Sequence, residues 1–215
     1  MFAALQRFEA YDVFNPWTSL DPLDCVTRAS AQRLRRLKQH FDCEASFVLV
    51  GEAPGFQGCR FSGVPFTSER LLLEGAIPRV SCDRRFTSRA RPWSEPSATI
   101  VWKALHELGI ADRVVLWNAF PWHPHRRGEP HSNRRPSQLE ARRGADVLRA
   151  VLARFDRAAV VAVGQVAYRA LHEILAPGIP VVRHPANGGA TEFAKGLAAI
   201  VRRRRNRRAA HQPLP

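Results

Sequence analysis

Residues 47–55 read Phe47-Val48-Leu49-Val50-Gly51-Glu52-Ala53-Pro54-Gly55. Four apolar residues run into a glycine, an acid and a proline–glycine pair, the pattern of a short strand that stops at a turn. Its apolar character is continuous rather than alternating, which suits a strand covered on both faces, as in a parallel sheet between helices. Three further stretches share this character: Val114 to Trp117, Ala158 to Val163 and Ile179 to Val182.

Helical patterns separate these stretches. Ser137 and Glu140 are spaced as a capping box, and Val147, Leu148, Val151, Leu152 and Phe155 then recur on one face. Ala98 to Leu108, Val166 to Leu175 and Thr191 to Arg205 read as three further helices. Alternation of strands and helices predicts an α/β fold, a three-layer α/β/α arrangement around a central four-stranded, mainly parallel sheet. Ligand sites in such sheets lie beyond the carboxyl ends of the strands.

With 215 residues and 45% hydrophobic content, the chain suffices for one compact domain over residues 1–215, ending in a basic tail from about residue 202. The run Arg202 to Arg208 has two readings, the extension of a helix whose C-terminal dipole favours cations, and a phosphate contact. Residues 78–96 and 121–136, rich in proline and arginine and without steady period, read as long loops.

The formal charge is +14, and all but three of the 33 basic residues are arginines. Such a balance favours a polyanionic partner, because each phosphate contact releases counterions. No segment has the length of uninterrupted apolar sequence that a membrane span needs, and no secretory start is visible, so a cytoplasmic protein is expected. Cys25, Cys43, Cys59 and Cys82 form no CxxC pair, so free thiols and no metal or cofactor are expected.

Chemistry concentrates after the first strand, where Gly51-Glu52-Ala53-Pro54-Gly55 is followed by Gly58 and by Gly63-Val64-Pro65-Phe66-Thr67. Asn118 follows the strand Val114 to Trp117, and His184-Pro185-Ala186 follows the strand Ile179 to Val182. This ordered set resembles the motifs of the uracil-DNA glycosylase superfamily, especially its GEAPG branch. The resemblance implies a monofunctional enzyme of base-excision repair that hydrolyses the N-glycosidic bond of uracil in DNA, with other deaminated or 5-substituted bases as further substrates. The partner is then DNA carrying a damaged base, which must be turned out of the stack. The alternative is a DNA-binding protein of the same fold that captures an extruded base without turnover.

Under this resemblance, Phe66 supplies an aromatic face for the base, and the Asn118 amide pairs with O4 and N3–H of uracil. His184 stands beside O2, where negative charge grows as the bond breaks. Backbone amides around Gly51, Ala53 and Gly55 line the base or a phosphate. Glu52 is either the base that orients water or a structural acceptor in the loop. No lysine lies in the matched motifs, so no Schiff-base step is expected.

The chain also departs from the resembling proteins. Efficient uracil-specific relatives carry aspartate where Ala53 stands and tyrosine where Gly55 stands, so the resemblance implies a slower enzyme that lacks the side chain those relatives set against a C5 methyl group. The branch commonly holds an iron–sulfur cluster on four cysteines whose spacing is lacking here. A wedging leucine after the His-Pro pair is replaced by Asn187-Gly188-Gly189. Arg126, Arg127, Arg134, Arg135 and Asn187 are the expected DNA contacts, together with arginines of the segment 84–91. His123, His125 and His131 have two readings, weak metal ligands and phosphate contacts.

Overall fold

The computed structural model describes residues 1–210; residues 211–215 and the side chains of residues 208–210 lie outside the described residues. Four strands, β2 (Phe47–Gly51), β3 (Val114–Asn118), β5 (Ala159–Val163) and β6 (Val181–Val182), form one sheet in the order β3-β2-β5-β6. All neighbouring pairs are parallel, with Phe47 beside Val114 and Ala159 and with Gly51 beside Asn118.

Both faces of the sheet are buried, and the two-residue period of a strand divides its side chains between two cores. Phe47, Leu49, Val114, Leu116, Val161 and Val163 pack against α5 (Pro96–Glu107) and α8 (Ala190–Ala210) through Trp102, Leu105, Phe193 and Leu197. Val48, Val50, Val115, Trp117 and Ala162 face α2 (Ala29–His40), α6 (Gln138–Arg154) and α7 (Gln165–His172) through Leu37, Leu148, Val151 and Leu171. The result is the expected three-layer α/β/α arrangement. The capping box of α6 is formed in full, Ser137 accepting from Glu140 N and Glu140 from Ser137 N. Pro96 occupies the first turn of α5, where its missing N–H costs nothing. Among the described residues no helix is long and apolar enough to cross a membrane.

One loop reading needs correction. Within residues 121–136, His123–Pro124 is a two-residue strand, β4, antiparallel to β1 (Val13–Phe14). The basic run from Arg202 lies within α8, which continues as far as Ala210, in agreement with the helical reading of that run. Arg205 donates to Leu108 O at the C-terminus of α5 (2.7 Å), so part of that charge completes another helix end.

The periphery is tied down by buried ions. Arg33 donates to Pro16 O (2.6 Å), Ser19 O (2.7 Å) and both oxygens of Asp24 (2.7 and 3.1 Å). Arg60, on α3 (Cys59–Ser62), grips Asp21 Oδ2 through Nε (3.0 Å) and Nη2 (2.6 Å) and lies over the Phe14 ring at 3.8 Å. Glu69, at the start of α4 (Glu69–Leu73), accepts from the backbone N–H groups of Phe86, Thr87 and Trp93 and from the Thr87 hydroxyl. These contacts hold the loops around residues 15–25 and 84–93, which also pair through Cys25 N to Phe86 O and Ser88 N to Leu23 O.

A four-thiolate cluster does not fit the residues present. All four cysteines are free thiols, Cys59 is sealed in the core, and among the described residues no three of His, Cys, Asp and Glu converge as metal ligands.

Two buried histidines make the fold acid-sensitive. His40 accepts from Leu116 N (2.9 Å), and burial lowers its pKa to about 3. His123 accepts from Arg60 Nη1 (3.0 Å) and donates to Ser132 O (2.9 Å), and burial beside Arg60 likewise lowers it to about 3. Both are neutral in the fold but take up protons near pH 6.5 when unfolded, so stability is complete above that pH and falls as acid is added. Urea denaturation should show about 2 kcal/mol lost per histidine between pH 6.5 and 5. A flat stability across that window would contradict the assignment.

Candidate active site

Gly51 and Asn118 are register partners at the carboxyl ends of β2 and β3, so the Asn118 side chain leaves the sheet beside the bare backbone of Gly51. Glycine is required at residue 51 because a Cβ there would run into the Phe66 ring and stand 2.8 Å from Asn118 Oδ1. Removal of one side chain thus lets an aromatic face and an amide lie side by side. Phe66 is held with φ of 50°, a left-handed conformation that is costly for an aromatic residue. Its carbonyl accepts from Trp102 Nε1 (2.9 Å), which helps to keep the strained turn in place.

His184 follows β6, with its ring centroid 6.3 Å from that of Phe66 and tilted by 37°. Its Nδ1 accepts from Ala186 N (3.2 Å), which leaves the proton of the neutral ring on Nε2. Burial, and secondarily Arg183, push its pKa below the usual value, so the neutral form prevails at pH 7. Gly164 packs beneath the ring, where an added Cβ would lie 3.3 Å from His184 Cβ. The turn after His184 places Asn187 in the left-handed region and leaves it exposed.

Phe66, Asn118 and His184 line one cleft of about 800 Å³, together with Glu52, Ala53, Gly55 and Asn187. Gly51 contributes the floor on which Phe66 and Asn118 rest. Glu52 is half-buried; burial raises its pKa, and Arg135 and Arg169 oppose the shift. Its Oε1 lies 3.9 Å from Arg135 Nε, and its carbonyl accepts from Phe120 N (3.0 Å).

The arginines divide sharply. Arg135 is 85% exposed and lines the main cleft and two adjoining depressions, which also contain Arg142, Arg169 and Arg183. Arg134, expected as a DNA contact, also lines the cleft, but it is paired with both Glu140 oxygens at 2.7 Å and donates to Asp12 O and His125 O. That pair anchors the loop to the first turn of α6, so its guanidinium has no free edge to offer. Arg126 and Arg127 lie outside the cleft lining, Arg126 beside Glu129 and Arg127 over the Tyr11 ring. Within the segment 84–91, Arg85 donates to Ala90 O and Arg89 lies over the Trp93 ring at 3.6 Å; neither lines the cleft.

Of the three loop histidines, His123 joins Arg60 to Ser132 and His131 reaches Asp21 Oδ2 (3.1 Å), so both brace the loop. Sequence reasoning missed Asn133, whose Oδ1 accepts from Phe56 N (2.9 Å), as well as Glu95, Arg142, Arg169 and Arg183. The one available signal was Glu95-Pro96, an acid immediately before a proline that starts a helix.

A family model described as the uracil DNA glycosylase superfamily matches residues 38–205. Among solved structures, the fold resembles the crystal structure of wild-type Pedobacter heparinus SMUG2, with a TM-score of 0.63 and 12% identity over 90% of this chain and 88% of that one. No curated protein sequence matches. Because the matched segment runs from α2 into α8 and takes in every strand of the parallel sheet and the whole cleft at its carboxyl edge, this chain belongs to the uracil DNA glycosylase superfamily.

Proposed function

We propose that the protein is a monofunctional DNA glycosylase that excises uracil, and related deaminated or 5-substituted bases, with water as the nucleophile. The observation that carries this reading is the meeting of Phe66, Asn118 and a tautomer-fixed His184 in one cleft. An extruded pyrimidine stacks on Phe66, and its O4 and N3–H pair with the Asn118 amide, whose burial makes a mismatched edge costly. The Nε2–H of neutral His184 donates to O2 as the base departs as an anion; because that charge is absent in the intact nucleotide, the contact lowers the barrier. Glu52, at the cleft mouth, orients water toward C1′ and favours the developing sugar cation. No lysine is among the residues that line the cleft, which fits hydrolysis without a covalent step. Phosphates run along Arg135, Arg142, Arg169 and Arg183, around the mouth of the cleft.

Incubation with uracil-containing oligonucleotides followed by alkaline cleavage tests the reading. Strand breaks support it, and tight binding without breaks would favour a protein that only captures the base. His184→Ala should slow the single-turnover step about 100- to 1,000-fold, the range of one preorganised donor, while DNA affinity barely changes. Wild-type rate in this variant would remove the histidine from the mechanism.

The acid side of the pH profile assigns the carboxylate. His184 has a lowered pKa and is neutral at pH 7, whereas Glu52 has a raised one and must be ionised to act. The rate should therefore rise with pH through the raised Glu52 value, and Glu52→Gln should abolish that rise along with most activity. A variant that keeps the wild-type profile leaves Glu52 a structural role.

Arg135→Ala combined with Arg169→Ala should reduce the slope of log affinity against log salt by about 1.4 to 1.8. Arg134→Ala should leave that slope unchanged but lower unfolding stability by about 1 to 3 kcal/mol, as its paired hydrogen bonds to Glu140 are lost. A lowered slope for Arg134→Ala would restore it as a phosphate contact.

A further inference from the structure

Glu95 lines the same cleft as Phe66, Asn118 and His184 but comes from the start of α5, outside every motif that marks the site. Its backbone is fixed, the carbonyl accepting from Thr99 N (3.1 Å) and Thr99 Oγ1 (3.2 Å) and Pro96 following in the first helical turn. The side chain does not cap its own helix. It turns instead against the loop after β2, where Oε1 would lie 3.4 Å from a Cβ on Gly55 and Oε2 would overlap a Cβ on Gly58. The two glycines therefore admit the carboxyl group to this wall, which Asn133 braces from the other side through Phe56 N.

The two carboxyl oxygens are not equivalent. Oε1 accepts from the Ser97 hydroxyl (2.7 Å), whereas Oε2 makes no hydrogen bond to the described residues. No cation pairs with Glu95, in contrast to Glu52, which has Arg135 nearby. Burial accordingly pushes the Glu95 carboxyl above the usual carboxylate range, toward a form that carries its own O–H donor. A half-buried polar group of this kind needs a partner once the cleft is closed to water.

We propose that Glu95 is a specificity-determining residue whose free carboxyl oxygen reads the C5 edge of the extruded base, favouring a polar substituent there over a methyl group. The proposal rests on the reading that the cleft holds an extruded pyrimidine. With O4 and N3–H on Asn118 and O2 on His184, the C5–C6 edge is the part left to face the wall formed by Gly55 and Glu95. A C5 methyl group would bury Oε2 without a partner, whereas a hydroxymethyl group supplies one in the same place.

Single-turnover excision of uracil, thymine and 5-hydroxymethyluracil, each in the same duplex context, tests this in the wild type and in Glu95→Ala and Glu95→Gln. The wild type should prefer 5-hydroxymethyluracil to thymine by about 10- to 100-fold, the range expected when a buried polar group is left unpaired. Glu95→Ala should bring that ratio to within about threefold of unity, and Glu95→Gln, which keeps a hydrogen-bonding group, should retain most of it. Should Glu95→Ala fail to fold, as judged by thermal melting, Glu95→Asp withdraws the carboxyl by one methylene and should lower the same ratio. An unchanged ratio in the shortened variant overturns the proposal, as does a wild type that excises uracil yet takes neither 5-substituted base or takes both equally. A wild type that excises none of the three overturns the glycosylase reading itself, a result distinguished by the loss of uracil excision.

Discussion

The guanidinium of Arg60 ties the peripheral segments of this fold to one another. It holds Asp21 from the N-terminal loop, His123 from β4 and the ring of Phe14 from β1, and the first two of these partners are nearly or wholly buried. Charges withdrawn from water are tolerated only when their hydrogen bonds are met in good geometry. Segments separated by more than 100 residues are thereby brought into one arrangement, since Asp21 also receives His131. Arg33 and Glu69 act in the same manner on neighbouring loops, each bonding several backbone groups at once. These loops are thus supported by buried ion pairs and by backbone amides bonded to buried side chains.

That outer frame matters because the cleft itself is built from loops. The sheet provides only Gly51 and Asn118, side by side, and leaves room above Gly51 for a ring. Phe66 fills that room in a strained backbone conformation, which persists because Trp102 holds its carbonyl and the surrounding core is closed. His184 is pinned from below by Gly164 and from its own turn by Ala186 N. A ring fixed in one tautomer presents its donor without reorganisation, which is what electrostatic stabilisation of a leaving group requires.

Charge is partitioned by burial. Arginines that are buried or half-buried, such as Arg33, Arg60 and Arg134, are committed to carboxylates and carbonyls, while exposed ones such as Arg135, Arg169 and Arg183 gather around the cleft mouth. The acids of the cleft are two, Glu52 beside a cation and Glu95 without one, and desolvation raises both. Identical side chains therefore differ in chemistry according to what faces them.

The parallel sheet was legible in the chain because strands covered on both faces are continuously apolar, and Phe47 to Val50 and Val114 to Trp117 need no other information. The α6 helix was equally plain, since its cap and its apolar stripe are local. The ordered motifs also named Phe66, Asn118, Glu52 and His184, because turn residues at strand ends are adjacent in sequence to the residues they position. The helix α2 escaped notice for a physical reason: its inward face mixes Arg33, Arg36 and His40 with Ala29 and Leu37, so the apolar stripe by which such faces are recognised is interrupted. Only the tertiary structure decided that Arg134 belongs to Glu140, that His184 carries its proton on Nε2, and that Glu95 enters the cleft. Each of these depends on a partner supplied by the folded backbone around it, and a partner's distance and direction are properties of the packed chain rather than of residue order.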